Sequence, residues 1–166
     1  MKTVILMRHS HASSENPAFS DHDRPLTPSG KQLAEATAKV LAKHARPDRI
    51  LCSTATRTQE TAEILVQHFE APPVPEAIES LYFSPAGEYL RLAAKELKEE
   101  DETVLFVGHN PGIANLIYSW GGDSVAVSPA TVAIFRVSVD DWSAITDQNL
   151  SVPKLTTVIS NGSRVV

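Results

Sequence analysis

Short apolar segments alternate along this chain with segments of helical periodicity, and this alternation limits the fold more than any other feature. Apolar runs rich in β-branched residues at 3–7, 48–53 and 103–107 predict buried strands, and 74–78 predicts a weaker one. Two more strand patterns, ATVAIFRVSV and KLTTVIS, come last with no helical pattern between them. The order β-α-β-α-β-α-β-α-β-β predicts an α/β fold with three α/β/α layers and a mostly parallel, mixed sheet.

The segments that join the predicted strands carry loop and helix-start signals. Residues 13–24 are polar and predict a long loop. Thr27 precedes Pro28, a pairing typical of an N-cap followed by the first helical residue. For the second helix, either Thr54 or Thr56 can supply the capping hydroxyl.

Composition excludes several classes of protein. The 166 residues carry a formal net charge of −5, which argues against general affinity for nucleic acid or anionic membranes. Cys52 is the only cysteine, so no intrachain disulfide can form. No apolar segment approaches the roughly 18 residues of a membrane helix. We therefore expect a single domain over 1–166, cytoplasmic and monomeric, with neither nucleic-acid nor membrane partners.

Charged and titratable residues stand directly after three of the predicted strands. Arg8 and His9 follow the first strand, Arg57 lies in the first helical turn after the second, and His109 and Asn110 follow a later one. Ligands of open α/β sheets bind outside the carboxyl ends of the strands, and right-handed crossovers bring these ends to one edge. We therefore expect two arginines and two histidines to converge.

This set of side chains suits a phosphate-bearing substrate. Arginine presents a planar fork of donors that matches phosphate oxygens. Arg57 in a first helical turn opposes the macrodipole, and an anion held jointly with the helix N-terminus would explain its position. Histidine can act as nucleophile, as acid or base, or as a cation. Taken singly, Arg8 could instead be a strand-end salt bridge and His109 a core residue.

Three motifs at these strand ends resemble those of the histidine phosphatase superfamily, which is phosphoglycerate mutase-like in fold. They are Arg8-His9, the segment STATRTQETA and the segment VGHNPGI. The usual opening of the family is Arg-His-Gly, and Ser10 replaces the glycine here. The segments DHDRPLTPSGKQLA and SPATVAIFRV, together with the short length, are similar to the SixA-type phosphohistidine phosphatases.

The resemblance implies a phosphatase that works in two steps without metal or cofactor. His9 would attack phosphorus, and water would then hydrolyse the phosphohistidine on the enzyme. Arg8, Arg57 and His109 would surround the phosphoryl oxygens, and Asn110 would add to the substrate-binding residues. Neighbouring arginines would keep His9 neutral, whereas His109 would serve as a cation. The implied substrate is phosphohistidine on a signalling or phosphocarrier protein.

Two further residues are candidates for this site. The arginine of the D-R-P-L-T segment faces the phosphate in SixA-type proteins, and Arg24 occupies that position; the alternative is a loop arginine paired with Asp21 or Asp23. Glu79 has a spacing to Tyr82 similar to that of the mutase-type acid and is a possible general acid, or else an exposed loop carboxylate. SixA-type proteins typically lack such an acid, because a protonated imidazole leaves phosphorus readily.

Other functions compete with this one. The segment from His9 to His11 also matches the His-x-His pattern of metal-dependent amidohydrolase barrels, but these need about 250 residues, and Arg8 would oppose a metal ion. We therefore expect His11 at the rim of the pocket. A non-enzymatic phosphoprotein-binding module would lack a histidine of the site, and both are present. A phosphatase for small phosphomonoesters stays open, although the lack of room for a lid insertion favours a protein substrate.

Overall fold

The computed structural model describes residues 1–14 and 18–166, so part of the loop predicted over 13–24 lies outside the described residues. In chain order the elements are β1 Lys2–Arg8, α1 Pro28–Leu41, β2 Arg49–Ser53, α2 Thr56–Val66, β3 Glu76–Ile78, a 3-10 turn Glu79–Leu81, α3 Ala86–Glu96, β4 Thr103–Gly108, α4 Gly112–Ser119, β5 Val132–Val137, a 3-10 turn Trp142–Thr146, β6 Lys154–Ser160 and β7 Ser163–Arg164. Among the described residues, no helix combines the length and the apolar character needed to cross a membrane.

The strands of the described residues form one mixed sheet with the order β3-β2-β4-β1-β5-β6-β7. The pairs β3–β2, β2–β4 and β4–β1 are parallel, and the pairs from β1 through β5 and β6 to β7 are antiparallel. Arg8 is in register with Gly108 across β1 and β4, so His9 and His109 leave the sheet side by side. The predicted mixed sheet is confirmed, with three parallel and three antiparallel pairs among the described strands.

Helices cover both faces of the sheet, and β1 shows why. Val4 and Leu6 point to one face and Ile5 and Met7 to the other, and each is at most 1% exposed. The first pair packs in a cluster with α3 and α4, and the second pair in a cluster with α1 and α2. Four consecutive apolar residues in a strand need cover on both sides, so the predicted three-layer α/β/α architecture is confirmed.

Helix α1 begins where the sequence predicts. The Thr27 hydroxyl accepts the Gly30 N–H at 3.0 Å, and Pro28 is the first helical residue. Gly30 also permits a close contact, because a Cβ there would lie 2.0 Å from the carbonyl oxygen of His11. The segment that leaves β1 therefore runs directly over the first turn of α1.

The start of helix α2 differs from the prediction. Its N-cap is Ala55, so neither Thr54 nor Thr56 caps it. The Ala55 N–H donates to the hydroxyl of Ser53 at 3.2 Å, while the Thr54 hydroxyl bonds to Nε2 of His22 at 2.8 Å. The prediction that Thr54 or Thr56 caps this helix was wrong, because the Thr54 hydroxyl is bonded to His22, which lies in a loop distant in sequence.

Candidate active site

A cavity of about 280 Å³ lies at the carboxyl ends of the central parallel strands. It is lined by Arg8, His9, His11, Ala12, Arg24, Arg57, Phe83, His109, Asn110 and Pro129. The structure thus brings together all four residues expected to converge, and also the two further candidates Arg24 and Asn110. His11 lies at the cavity as an exposed residue, which agrees with the rim position predicted for it.

His9 is oriented by a hydrogen bond within its own segment. Its Nδ1 lies 2.6 Å from the carbonyl oxygen of Ser10. A carbonyl can only accept, so Nδ1 carries the proton and the lone pair of the neutral ring is on Nε2. Among the described residues, Nε2 has no hydrogen-bond partner. The ring therefore presents an unprotonated nitrogen that is free to react with a bound group.

The ionisation of His9 favours the neutral form. Its pKa is lowered to about 4, mainly by burial and to a smaller extent by the charges of Arg57, Arg8 and Arg24, against the raising effect of the bond to Ser10. The sequence attributes the neutral state to the neighbouring arginines, but desolvation is the larger cause. At neutral pH the imidazole is thus ready to act as a nucleophile.

Ser10, which stands where related motifs carry glycine, contributes to the fold. It is fully buried, its hydroxyl donates to the carbonyl oxygen of Gly30 at 2.6 Å, and its N–H donates to the hydroxyl of Thr61 at 3.1 Å. These bonds tie the residue after His9 to both α1 and α2. They fix the carbonyl that orients the imidazole, which accounts for a hydroxyl at this position.

His109 is held by a chain of hydroxyl groups whose directions can be worked out. The Thr58 hydroxyl lies 2.8 Å from the carbonyl oxygens of Ser53 and Ala55, to which it can only donate. It therefore accepts from the Ser53 hydroxyl at 2.7 Å, and Ser53 in turn accepts from Nε2 of His109 at 2.7 Å. Nε2 carries the proton, and the lone pair lies on Nδ1, 3.4 Å from a guanidinium nitrogen of Arg57.

The ligand-free protein disfavours the charged form of His109, and the cationic role predicted for it with a phosphoryl group bound stays a prediction. Its side chain is 1% exposed, and burial is the main reason that its pKa is lowered to about 3, followed by the charges of His9 and Arg57. The ring is therefore neutral at physiological pH. An anion in the cavity would favour the charged form, and Nδ1 would take up that proton.

The two arginines present donors that the protein leaves unsatisfied. Arg57 is 1% exposed and donates to the carbonyl oxygen of Asp21 at 2.7 Å, with its carboxylate at 3.3 Å. Arg8 donates to the carbonyl oxygen of Val127 at 3.2 Å. The Nε atoms of both arginines are buried and have no partner among the described residues. Because buried donors are normally paired, these atoms indicate a site for an anion.

Asn110 shares an anchor with Arg8. Its Nδ2 donates to the Val127 carbonyl oxygen at 2.9 Å, the same oxygen that Arg8 contacts. Its Oδ1 is buried with no partner in the described part of the chain. The Oδ1 atom of Asn110 is thus an acceptor without a donor among the described residues, whereas its Nδ2 already donates to the Val127 carbonyl oxygen.

Arg24 is paired with Asp21, as one of its two predicted alternatives states, and its contact with phosphate stays a prediction. It lines the cavity, and it also pairs with one carboxylate oxygen of Asp21 at 3.0 and 3.2 Å and donates to the carbonyl oxygen of Ser13 at 2.6 Å. Asp21 accepts a hydrogen bond from the Tyr82 hydroxyl as well. That bond, and then Arg24 and Arg57, lower the pKa of Asp21 to about 2, although partial burial opposes them.

The carboxylate at this site differs from the predicted one. Glu79 begins the 3-10 turn after β3, is exposed and does not line the cavity, so the structure does not bring it to the other candidates. Tyr82, three residues later, packs edge-on to His109 with 5.6 Å between ring centroids. Instead, the carboxylate of Asp21 pairs with Arg24 and Arg57. The only sign of this role in the sequence was that Asp21 lies close to Arg24.

Residues 1–14 and 18–166 contain no group of three or more His, Cys, Asp or Glu side chains placed to hold a metal ion. The second histidine of the His-x-His pattern, His11, instead has its Nδ1 at 2.9 Å from the hydroxyl of Thr27. Cys52 is buried in β2, and burial raises the pKa of its thiol to about 12, so it is a poor nucleophile.

Comparisons with known proteins agree with the geometry. The model of the histidine phosphatase superfamily (branch 1) matches residues 4–80. An uncharacterized chloroplast protein of Arabidopsis thaliana is 30% identical over 151 residues, which span 85% of this chain and 69% of that protein.

Two solved structures cover nearly the whole chain, and both are provisionally named phosphohistidine phosphatase SixA. The protein from Nakamurella multipartitia is 29% identical with a TM-score of 0.81, over 96% of this chain and 95% of that one. The protein from Agrobacterium tumefaciens is 25% identical with a TM-score of 0.78, over 96% and 97%. The resemblance indicated by the sequence motifs is confirmed: this chain belongs to the histidine phosphatase superfamily and is of the SixA type.

Proposed function

We propose that this protein is a phosphatase that forms a phosphohistidine on His9 without a metal ion, and that it removes phosphate from histidine residues of another protein. The observation that carries the proposal is the bond from Nδ1 of His9 to the Ser10 carbonyl oxygen, since it leaves Nε2 as a free lone pair. Arg8, Arg57 and His109 line the same cavity, where their donors can surround a phosphoryl group.

In the first step, the Nε2 lone pair of His9 forms a bond to phosphorus as the bond from phosphorus to the substrate nitrogen breaks. The electrons of that bond return to the substrate ring, which leaves as neutral imidazole because its other nitrogen already carries a proton. The Nδ1 proton stays on His9, directed at the carbonyl oxygen of Ser10, which stabilises the imidazolium that forms. The unsatisfied Nε atoms of Arg8 and Arg57 would donate to the phosphoryl oxygens.

In the second step, water attacks the phosphorus of the phosphoenzyme and His9 leaves as a neutral imidazole. One hydrogen of the water stays on the new phosphate oxygen, and the other is released as a proton. His109 lines the cavity, and its Nδ1, which lies 3.4 Å from a guanidinium nitrogen of Arg57, would hold that proton while the phosphate is bound. His109 would then donate to a phosphate oxygen, and its buried Nε2 would keep its bond to Ser53.

A phosphohistidine substrate differs from an alkyl phosphate in whether its leaving group must receive a proton from an acid of the site. An alkoxide needs a proton from an acid, and Glu79 is outside the cavity. Asp21 cannot supply one at neutral pH, since its pKa is lowered to about 2, first by the Tyr82 hydroxyl. None of the described residues that line the cavity carries a carboxyl group, which favours a leaving group that departs without a carboxylic acid, and the similarity to SixA-type proteins supports the same choice.

The test compares a protein carrying phosphohistidine with a panel of alkyl phosphate monoesters. We expect hydrolysis of the former, no inhibition by EDTA, and trapping of an acid-labile, base-stable phosphoenzyme. His9→Asn should give no phosphoenzyme, whereas His44→Gln, at an exposed histidine outside the cavity, should behave as the wild type. Turnover by His9→Asn would refute the nucleophile, and activity confined to monoesters would refute the substrate class.

A further inference from the structure

Phe83 is an exposed aromatic residue at the cavity that the catalytic steps above do not use. Its side chain is 52% exposed, and it is one of the cavity-lining residues. Its φ angle is +50°, in the left-handed region that bulky side chains rarely adopt. Strained conformations of this kind persist where the surrounding structure imposes them, and they cluster at ligand sites.

The residues on either side of Phe83 hold its backbone in place. Leu81 is fully buried and Ser84 is 5% exposed, so the chain is anchored before and after the exposed ring. The carbonyl oxygen of Ser84 lies 2.2 Å from the position that a Cβ would take at Gly112, so α4 accepts this contact only with glycine there. The ring of Phe83 therefore projects from a fixed support.

The surroundings of the ring place it beside the groups that would bind the phosphoryl group. Its centroid lies 4.9 Å from that of His109 at an interplanar angle of 36°, and 5.5 Å from the guanidinium carbon of Arg57. Tyr82 packs against it with 4.8 Å between centroids. The protein covers about half of the ring. The rest of the ring is exposed, and Phe83 lines the cavity that would hold the phosphoryl group.

We propose that Phe83 is a specificity-determining residue that stacks on the imidazole ring of the leaving group. The inference rests on the proposed function and deepens it, because it selects substrates in which phosphorus is bonded to nitrogen of a planar aromatic ring. An aromatic face attracts another flat ring in an offset arrangement, and it attracts a cationic imidazolium more strongly. A phosphorus–nitrogen compound without a ring would gain nothing from Phe83.

Two substrates with the same reacting bond separate this role from a structural one. Phosphohistidine has the ring, and phosphoramidate has the phosphorus–nitrogen bond alone. Phe83→Leu removes the aromatic face and keeps an apolar side chain, Phe83→Tyr keeps the face, and Tyr118→Leu is a control at an aromatic that is 41% exposed outside the cavity. Each variant is assayed for kcat/KM on both substrates, and the ratio of the two values is compared with that of the wild type.

We expect Phe83→Leu to lower kcat/KM for phosphohistidine by about 3- to 10-fold and that for phosphoramidate by less than about twofold. Phe83→Tyr and Tyr118→Leu should keep the wild-type ratio. Because both values come from one preparation, any misfolded fraction cancels in the ratio. An unchanged ratio in Phe83→Leu would overturn the stacking role and leave the proposed function standing, whereas a wild type that forms no phosphoenzyme would overturn both.

Discussion

Lowering the pH from about 7.5 to about 5 should destabilise this protein through His9, which is partly buried, and His109, which is fully buried. In the folded state, burial is the main cause that lowers the pKa of His9 to about 4 and that of His109 to about 3, from an ordinary 6.5. In the unfolded chain both imidazoles take up protons near that ordinary value. The unfolded state therefore binds more protons between about pH 6.5 and pH 4, so stability falls as the pH falls through this range.

The magnitude follows from the size of the pH step. At about pH 5 the unfolded imidazoles lie about 1.5 pH units below their own pKa, and each unit is worth about 1.4 kcal/mol. Each histidine therefore removes about 2 kcal/mol, and the two remove about 4 kcal/mol together. The lowered pKa of Asp21, about 2, affects stability only below its ordinary value of 3.8, so its contribution falls in a separate window.

Urea unfolding at the two pH values measures this difference. The free energy of unfolding of the wild type should be about 4 kcal/mol lower at about pH 5, and His9→Asn and His109→Asn should each reduce that pH dependence by about 2 kcal/mol. His44→Gln, at an exposed histidine, should leave it unchanged. A wild-type loss below about 1 kcal/mol would refute the neutral buried state of the two rings, as would an equal effect of all three variants.

Two further substitutions test the supports of the site. Ser53→Ala leaves the buried N–H of His109 without its acceptor at 2.7 Å, so we expect a loss of about 1–3 kcal/mol in urea unfolding and a lower kcat. Gly112→Ala puts a Cβ against the carbonyl oxygen of Ser84 and should cost about 1–3 kcal/mol, whereas Gly87→Ala, with open space around its Cβ, should raise Tm. Equal stability in all three variants would contradict these contacts.

The core of the site could be predicted because it depends on the sheet. Arg8, His9, Arg57 and His109 follow strands whose apolar runs are visible in the sequence, and parallel strands bring their carboxyl ends to one edge. The charge state of His109 could not be predicted this way, since it depends on how completely the fold buries the ring.

The periphery of the site could not be predicted, because it is built from irregular segments. Asp21, Tyr82 and Phe83 lie outside helices and strands, and they meet through contacts between segments about sixty residues apart in the chain. No periodicity marks such contacts. The role of Ser10 was hidden for the same reason, since its hydroxyl bonds to Gly30, which lies 20 residues further along the chain.

The register of β1 and β4 sets the separation of the two imidazoles through the backbone. Adjacent strands lie about 4.8 Å apart, and the rings of His9 and His109, one residue beyond the paired Arg8 and Gly108, have centroids 5.3 Å apart. Main-chain ladder bonds fix the separation of the two backbone positions, and the bonds to Ser10 and Ser53 orient the rings. The loop that carries Phe83 can therefore vary in evolution without changing the spacing between His9 and His109. Relatives can differ at the Phe83 loop while the two strand-end histidines keep their positions.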